Sequence, residues 1–343
     1  MKTITKGKQM NNIKKIGLTA LAGSLVAFSA QAAEMTVSGA TVLTYTSGDG
    51  TEVTGNPFGM KTNLGFTASG EVNGYNVSYM QTSKDQFAGM SSARLSVDMG
   101  DMGTIAFDQG SGSGLATIDD KTPTAAEEIW DGLDVATDAN AQGLVGAAGS
   151  SGVFNYVNTF EGVTLNAAAR KGSGTSNADG GKSGAGQGAW DFALTADGSS
   201  MGVDGLAVGL GYGEAENGSQ AGSSYGDAEH MTAFANYSVG PVTFGYQMSY
   251  IDANINGTDD EETAAWGLAF NVNENLSISY GERDVVFKGA GTTADVTEKG
   301  DGIAVAYTMG SMKIAGNRNE VSDNDGTAGS NDSMTEIAVS FAF

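Results

Sequence analysis

Apolar and polar side chains alternate in short segments along most of the chain from residue 34 onward. Between residues 242 and 252 every second position is apolar, namely Val242, Phe244, Tyr246, Met248 and Tyr250. A period of two predicts β-strands with one apolar and one polar face. We count sixteen such strands between Glu34 and Phe343, and Asn73-Gly74 predicts a tight hairpin turn between the second and the third.

The connections between these strands alternate between short turns and long polar loops. Short turns are predicted at 73–74, 100–103, 160–162, 240–241 and 310–311, and long loops at 47–59, 109–152, 172–188, 214–230, 253–262, 288–300 and 322–333. Short turns at one end and long loops at the other are typical of transmembrane β-barrels. A secreted β-sandwich or β-helix is the alternative, but a sandwich has no reason to sort its loops by length between its ends. The predicted fold is therefore an all-β barrel.

One connection, Gln109–Gly152, is far longer than the usual link between strands and shows no alternation. Lys121 is the only basic side chain in this connection. Its acidic side chains are Asp119, Asp120, Glu127, Glu128, Asp131, Asp134 and Asp138. The run from Thr124 to Glu127 fits a helix capping box, and Thr122 followed by Pro123 is an equally good helix start. We therefore predict a short helix here. The whole connection is either a flexible acidic surface loop or a functional element.

Residues 1–32 have the features of a signal peptide that is removed from the mature chain, residues 33–343. Lys14 and Lys15 precede the apolar run Ile16–Ser29, and Ala30-Gln31-Ala32 supplies a small-residue cleavage site. Met10 is the natural start, with residues 1–9 as an extension. The alternative is a buried N-terminal helix. After this segment no apolar stretch approaches the twenty residues that a membrane-spanning helix needs.

The charge balance then narrows the function. Removing residues 1–32 takes away five lysines and no acid, which leaves 12 basic against 40 acidic side chains and a formal net charge of −28. Such a surface repels nucleic acid, so DNA and RNA are excluded as partners. His230, at the end of a predicted surface loop, is the only histidine, and cysteine is absent. Without a thiol nucleophile or a zinc ligand set, we expect neither enzymatic activity nor a cofactor.

Three features together resemble the general bacterial porins, most closely the alphaproteobacterial (Rhodobacter-like) type. They are the signal peptide ending Ala30-Gln31-Ala32-Ala33-Glu34, the run Gly100-Asp101-Met102-Gly103-Thr104-Ile105-Ala106-Phe107 before the longest loop, and the C-terminal Phe341-Ala342-Phe343. The resemblance covers the mature chain in strand count and loop order. It implies a sixteen-stranded antiparallel barrel in the outer-membrane lipid, a homotrimer and passive diffusion of small hydrophilic solutes and ions. It also implies that Phe341 and Phe343 form the signal for membrane insertion, although Phe343 is equally well explained as a lipid-facing aromatic.

In that family the third surface loop folds into the barrel and narrows the pore. A lumen of sixteen strands is too wide for side chains to fill, and Gln109–Gly152 is the only segment long enough to reach inward. The acids predicted at the constriction are Asp119, Asp120, Glu127, Glu128, Asp131 and Asp134. Strand alternation turns four basic residues away from the apolar face and predicts a basic pore wall of Lys61, Arg94, Arg170 and Arg283. Opposed charges would set a field across the constriction, and the excess of acids favours weak cation selectivity.

Two other interpretations stay open at this point. The acidic runs Asp119-Asp120, Asp259–Glu262 and Asp323–Asp325 offer the carboxylates that calcium prefers, but no EF-hand spacing is present and solvated acidic loops are the commoner explanation. The barrel could also be a non-conducting adhesin or structural protein, or a solute-specific channel with polar or aromatic ladders in its lumen.

Overall fold

The computed structural model describes residues 28–30, 33–48, 55–83, 89–133, 142–149, 151–172, 187–217, 226–255, 260–289 and 294–343. Sixteen consecutive strands pair antiparallel with their neighbours in chain order, and the last pairs with the first. The sheet is therefore a closed barrel, as predicted. A further short strand, β1 (Phe28–Ala30), pairs with the start of β2 and falls within the predicted signal peptide. Residues 1–27 lie outside the described residues, so the signal peptide stays a prediction.

The barrel strands are β2 (Ala33–Gly48), β3 (Phe58–Val72), β4 (Tyr75–Ser83), β5 (Met90–Asp98), β6 (Thr104–Gln109), β7 (Ser151–Phe160), β8 (Val163–Arg170), β9 (Ala189–Asp197), β10 (Leu206–Ala215), β11 (Ala228–Val239), β12 (Val242–Asp252), β13 (Asp260–Asn271), β14 (Leu276–Lys288), β15 (Val296–Met309), β16 (Met312–Ser322) and β17 (Asp332–Ala342). Helical structure among the described residues is limited to short 3₁₀ turns such as Gly114–Thr117. None of the described helices is long and apolar enough to cross a membrane.

The alternation along each strand separates the sheet into two faces. On β12, Phe244, Tyr246 and Met248 are 42–57% exposed, whereas Gln247 and Ser249, which alternate with them, are buried at 3% and 8% exposure. The large apolar side chains therefore project from the barrel surface, where lipid contacts them. We call the opposite side, which carries small and polar residues, the polar face.

The C-terminus completes the closure of the barrel. The backbone N–H of Gly39 donates to the carbonyl of Phe343 at 2.8 Å, and the N–H of Phe343 donates to the carbonyl of Gly39 at 3.1 Å. The Phe343 ring covers the space beside Gly39, where a Cβ atom would lie 2.8 Å from the ring. Phe341 pairs with Thr41 on β2, and both terminal aromatics are about half exposed. Their role as an insertion signal stays a prediction.

Several strands extend further toward the long loops than alternation predicts. β11 begins at Ala228 rather than Met231, and β15 begins at Val296 rather than Asp301. The apolar pattern ends where outward side chains become charged, as at Glu229 and Lys299, but backbone pairing continues. His230, predicted at the end of a surface loop, consequently lies within β11.

Candidate functional site

The chain between β6 and β7, residues 110–150, is the strongest candidate for a functional element, and we call it the β6–β7 segment. Its described parts, 110–133 and 142–149, lie against the polar face. The start is fixed by Asp108, which accepts hydrogen bonds from the backbone N–H of Ser111 and the hydroxyl of Ser113. Arg94 adds a bond from Nη1 to the carbonyl of Gly112 at 3.3 Å. The segment therefore leaves the barrel wall in a defined direction.

One buried carboxylate joins the two ends of the segment. Asp191 on β9 accepts a bond from the N–H of Leu115 at 3.1 Å through one oxygen, and from the N–H of Ala148 at 2.7 Å through the other. Leu115 also packs in an apolar cluster with Ile118, Val145, Ala193 and Phe234. The outgoing and returning stretches are thus both held on β9 to β11 by polar and apolar contacts.

Two amide side chains bind the next stretch. Gln247 on β12 donates to the carbonyls of Ile118 at 2.9 Å and Asp119 at 3.0 Å, and it accepts from the N–H of Lys121 at 2.7 Å. Asn236 on β11 donates to the carbonyl of Lys121 at 2.6 Å. Side-chain amides here replace the backbone partners that an irregular buried segment lacks.

The short helix predicted from Thr122 or Thr124 is absent, so that prediction is wrong. Residues 121–128 form no helix, and a turn follows at 129–132. The backbone groups bond to the barrel instead: the N–H of Ala125 donates to the hydroxyl of Ser279 at 2.8 Å. Asn319 on β16 donates to the carbonyls of Glu128 at 3.0 Å and Asp131 at 2.9 Å. Bonds to the wall have replaced the internal bonds of a helix.

Arg283 on β14 lies beneath the segment rather than beside open solvent. It is 3% exposed, its Nη1 lies 3.4 Å from Oε1 of Glu298 on β15, and its guanidinium stacks 4.7 Å from the centre of the Trp130 ring. Both charges of the pair are buried, which is tolerable only because they compensate each other. Arg283 is therefore placed to anchor Trp130 against the wall.

The predicted constriction acids come from two stretches of the segment that lie near each other, because the charge of Asp120 acts on Glu128. Asp119 and Asp120 are adjacent to the bonds from Gln247, while Glu127, Glu128 and Asp131 lie together further along the segment. Asp134 and Asp138 lie outside the described residues.

Burial of these loop acids changes their titration. Loss of solvent raises the pKa of Asp119 to about 6 and that of Glu128 to about 7. Burial also raises the pKa of Asp120, and burial together with the nearby Glu127 raises that of Asp131. The charge of the segment therefore changes near neutral pH.

The predicted basic residues all occupy positions of the polar face, but their surroundings differ. Lys61 on β3 is exposed and lies near Asp131 and Glu336. Arg94 bonds to the start of the segment, and Arg170 lies near Asp191 and Gly149. With Arg283 covered, Lys61 is the most accessible of the four predicted wall cations. The role of these residues, and of the loop acids, in the pore stays a prediction.

Accessibility divides the polar face into two halves. On β9–β16, which we call the covered half, residues beneath the segment are buried, among them Gln247, Thr263, Ser279 and Asn319. On β2–β5, the open half, the side chains are exposed or half-buried and largely hydroxyl or amide, namely Ser38, Thr44, Asn63, Thr67, Ser78 and Ser96. The segment thus occupies one side of the barrel.

The residues that hold the segment were not singled out from the sequence. Gln247 carried a signal, because it is a polar residue between Tyr246 and Met248 in a strictly alternating strand. Asp191, between Trp190 and Phe192, carries a similar one, whereas Asn319, between Arg318 and Glu320, does not. Alternation identifies the face on which such residues lie, but not the chain that covers them.

Comparison with known proteins agrees with this architecture. A family model described as Gram-negative porin matches residues 17–343. OmpT of Vibrio cholerae is similar in structure, with a TM-score of 0.66 and 14% identity over 92% of this chain and 99% of that one. A porin structure gives 0.65 and 15% over 90% and 100%, and Salmonella typhi OmpF in complex with daunomycin gives 0.62 and 12% over 93% and 100%. No curated protein sequence matches the chain. The chain belongs to the Gram-negative porin family, and is an outer-membrane channel protein rather than an enzyme.

Proposed function

We propose that this channel passes small hydrophilic solutes and ions by passive diffusion, with a weak preference for cations. We propose further that the β6–β7 segment lies inside the barrel and forms its constriction. The observation that carries this is the set of hydrogen bonds between the segment and polar-face side chains, which range from Asp191 on β9, an acceptor, to Asn319 on β16, a donor.

The inward position follows from which face of the sheet is in contact with the segment. The apolar face of an outer-membrane barrel meets lipid, so the polar face encloses the lumen. A barrel of sixteen strands has a lumen too wide for its own side chains to fill. A segment bonded to half of that face reduces the cross-section and leaves a passage along the open half.

The preference for cations is supported by the charges that remain accessible. Glu127 and Asp131 lie near Glu336 of β17, with Lys61 as the cation among them, and Glu128 lies near Glu127 and Asp131. Arg283 is neutralised by Glu298 and covered by Trp130, so it contributes little field to the passage. An acid-rich ring favours cations over anions.

Other features of the proposal rest on relatives or on the sequence. A homotrimer is supported by an OmpT structure of Vibrio cholerae that is described as a trimer form. The alphaproteobacterial type and the insertion signal at Phe341 and Phe343 rest on the sequence resemblance. Calcium binding also stays a prediction, and the described residues contain no group of three or more His, Cys, Asp or Glu side chains placed to hold a metal ion.

Bilayer recording tests the proposal directly. Purified protein should give stepwise conductance in a planar bilayer, and its reversal potential in a KCl gradient should have the cation-selective sign. A variant lacking Thr122–Asp138, the acidic middle of the segment, should conduct more and select less. A matched control lacking residues 174–181, in the Gly/Ser-rich loop between β8 and β9, should keep both values.

Each part of the proposal can fail separately. Absence of conductance would favour a non-conducting barrel, and a reversal potential of anion-selective sign would contradict the selectivity. Unchanged conductance after removal of Thr122–Asp138 would show that the segment is not the constriction. Saturation of the current by one solute would instead favour a solute-specific channel.

A further inference from the structure

Four neighbouring strands of the covered half carry glycine at directly paired positions. Gly245 on β12 pairs with Gly267 on β13, which pairs with Gly281 on β14, which pairs with Gly302 on β15. We call these four residues the glycine row. All four lie on the polar face, so the row is a strip of bare backbone across the wall.

The acidic part of the β6–β7 segment lies directly over this strip. A Cβ atom at Gly267 would lie 2.7 Å from the carbonyl oxygen of Pro123, and one at Gly245 would overlap both Cδ of Pro123 and Oδ1 of Asn236. A Cβ atom at Gly302 would lie 3.0 Å from Cβ of Ile129. Pro123 and Ile129 therefore occupy space that side chains in the row would fill. At Gly245, Gly281 and Gly302 an atom of the wall would lie nearer still, namely Oδ1 of Asn236, the carbonyl oxygen of Trp266 and Oδ1 of Asn319, so Gly267 is the position where the segment supplies the nearest atoms.

An asparagine on the adjacent strand flanks the glycine row at each end. Gly245 pairs with Asn236 on β11, and Gly302 pairs with Asn319 on β16. These are the two side chains that donate to the carbonyls of Lys121, Glu128 and Asp131. Residues 121–131 of the segment therefore contact both the glycine row and the two asparagines that flank it.

Backbone conformation does not account for these glycines, because none of the four has a positive φ. Glycine in the interior of a strand weakens it, and it is found where another backbone approaches closely. The four glycines place this loss of strand stability where the segment approaches the wall. Close approach is the remaining explanation for the row.

We infer that the glycine row is a seat that sets the distance between residues 121–131 and the wall, and thereby the cross-section of the pore. The inference rests on the proposed function, since it takes the segment to be the constriction. A side chain in the row lifts the segment toward the open half and narrows the passage. The row is then a size-determining element made of residues that never meet the solute.

Substitution of Gly267 gives the cleanest test, because the first atoms that its new side chain would meet belong to Pro123. Gly267→Ala should lower single-channel conductance, Gly267→Val should lower it further, and both should exclude polyethylene glycols that the wild type admits. Gly316→Ala on β16 is the matched control: its Cβ would have no atom nearer than 3.5 Å. Heat-modifiable gel mobility verifies that each barrel is folded.

A second pair of variants does not depend on Gly267. Gly302→Ala should also lower conductance, and adding Ile129→Gly should return part of the loss, because it removes the Cβ and Cγ2 atoms that would each lie 3.0 Å from the new Cβ. The return is partial because Oδ1 of Asn319, 2.5 Å from the new Cβ, stays in place. A loss that the second change leaves untouched would overturn the inference for this end of the row.

The outcomes separate the inference from the proposed function. A wild type that does not conduct, or whose conductance survives loss of Thr122–Asp138, contradicts the proposed function. If the wild type conducts and that deletion raises the conductance, folded Gly267→Ala and Gly302→Ala channels with wild-type conductance overturn the seat alone.

Discussion

The covered and open halves of the polar face are built from different residues for different purposes. Beneath the β6–β7 segment the wall combines the glycine row with buried amides such as Gln247 and with one buried ion pair, Arg283 and Glu298. On β2–β5 the wall carries accessible hydroxyl and amide groups such as Ser38 and Asn63, together with Lys61. The covered half binds the β6–β7 segment, and we propose that the open half contacts solute.

The comparison shows that basic residues on the same face of the sheet have different roles in the two halves. Lys61 and Arg283 are both basic residues of the polar face, yet one is exposed and the other is 3% exposed. A charge in contact with water acts on passing ions, whereas a charge under the segment acts on structure. Substitutions in the two halves should therefore change different measured quantities.

Arg283→Met should have the largest effect on stability. It leaves Glu298 buried without its partner, a change that costs about 3–5 kcal/mol for buried pairs, and it removes the cation over Trp130. The temperature at which the barrel loses its folded gel mobility should fall. The matched control is Arg318→Met, because Arg318 and Glu320 form an exposed pair worth about 0–1 kcal/mol. Equal losses in both variants would contradict the account.

Asn319→Ala should have a smaller effect. The carbonyls of Glu128 and Asp131 lose their amide donor, at a cost of about 1–3 kcal/mol, and the open-channel current should become noisier as the segment loosens. Asn317→Ala on the same face of β16 is the control, because its amide nitrogen has no hydrogen-bond partner among the described residues. An open-channel current in the Asn319→Ala variant that is no noisier than in the wild type would contradict the proposal that Asn319 holds the segment.

The cation preference of the channel should depend moderately on pH. Because the pKa values of Asp119 and Glu128 are raised to about 6 and about 7, both carboxyls ionise between roughly pH 5 and 8. Cation preference, measured as reversal potential, should therefore rise with pH. The Glu128→Gln channel should show a flatter rise, whereas Glu274→Gln, in an exposed turn, should behave as the wild type.

The same shifts have a consequence for stability. A folded-state pKa above the unfolded value means that the protonated form is stabilised by folding. The contribution of Glu128 is complete below its ordinary pKa of 4.5 and is lost as the pH rises through about 7. Melting temperature should fall over that range in the wild type and less so in Glu128→Gln. A melting temperature that rises with pH in the wild type alone would contradict the burial of Glu128.

Lys61→Met should have the smallest effect. Lys61 is exposed on the open half, so its removal should leave the melting temperature unchanged and shift the reversal potential slightly toward cations. A loss of stability comparable to that of Arg283→Met would remove the distinction between the two halves.

Alternation alone was sufficient for the barrel, because a period of two is a local property of each strand. It also placed Lys61, Arg94, Arg170 and Arg283 on the correct face of their strands. It could not show that Arg283 is covered, since that depends on where Trp130 lies, more than 150 positions earlier in the chain. The path of an irregular segment is set by distant partners rather than by its own pattern.

The predicted helix failed for the same reason. The residues Thr122-Pro123 and Thr124 to Glu127 fit local rules for a helix start. In the folded chain the donors and acceptors of this stretch are taken by Ser279 and Asn319 on distant strands. The glycine row was visible as four glycines, but only the register between β12 and β15 shows that they lie side by side.

A disulfide test addresses the position of the segment most directly. The chain has no cysteine, and a Cβ atom at Gly302 would lie 3.0 Å from Cβ of Ile129, within about half an ångström of the distance that a disulfide requires. Cysteines at Ile129 and Gly302 should cross-link under mild oxidation, as measured by gel mobility before and after reduction. Cysteines at Ile129 and Ser78, on the open half, should stay reduced. Cross-linking to Ser78, or none to Gly302, would contradict the account.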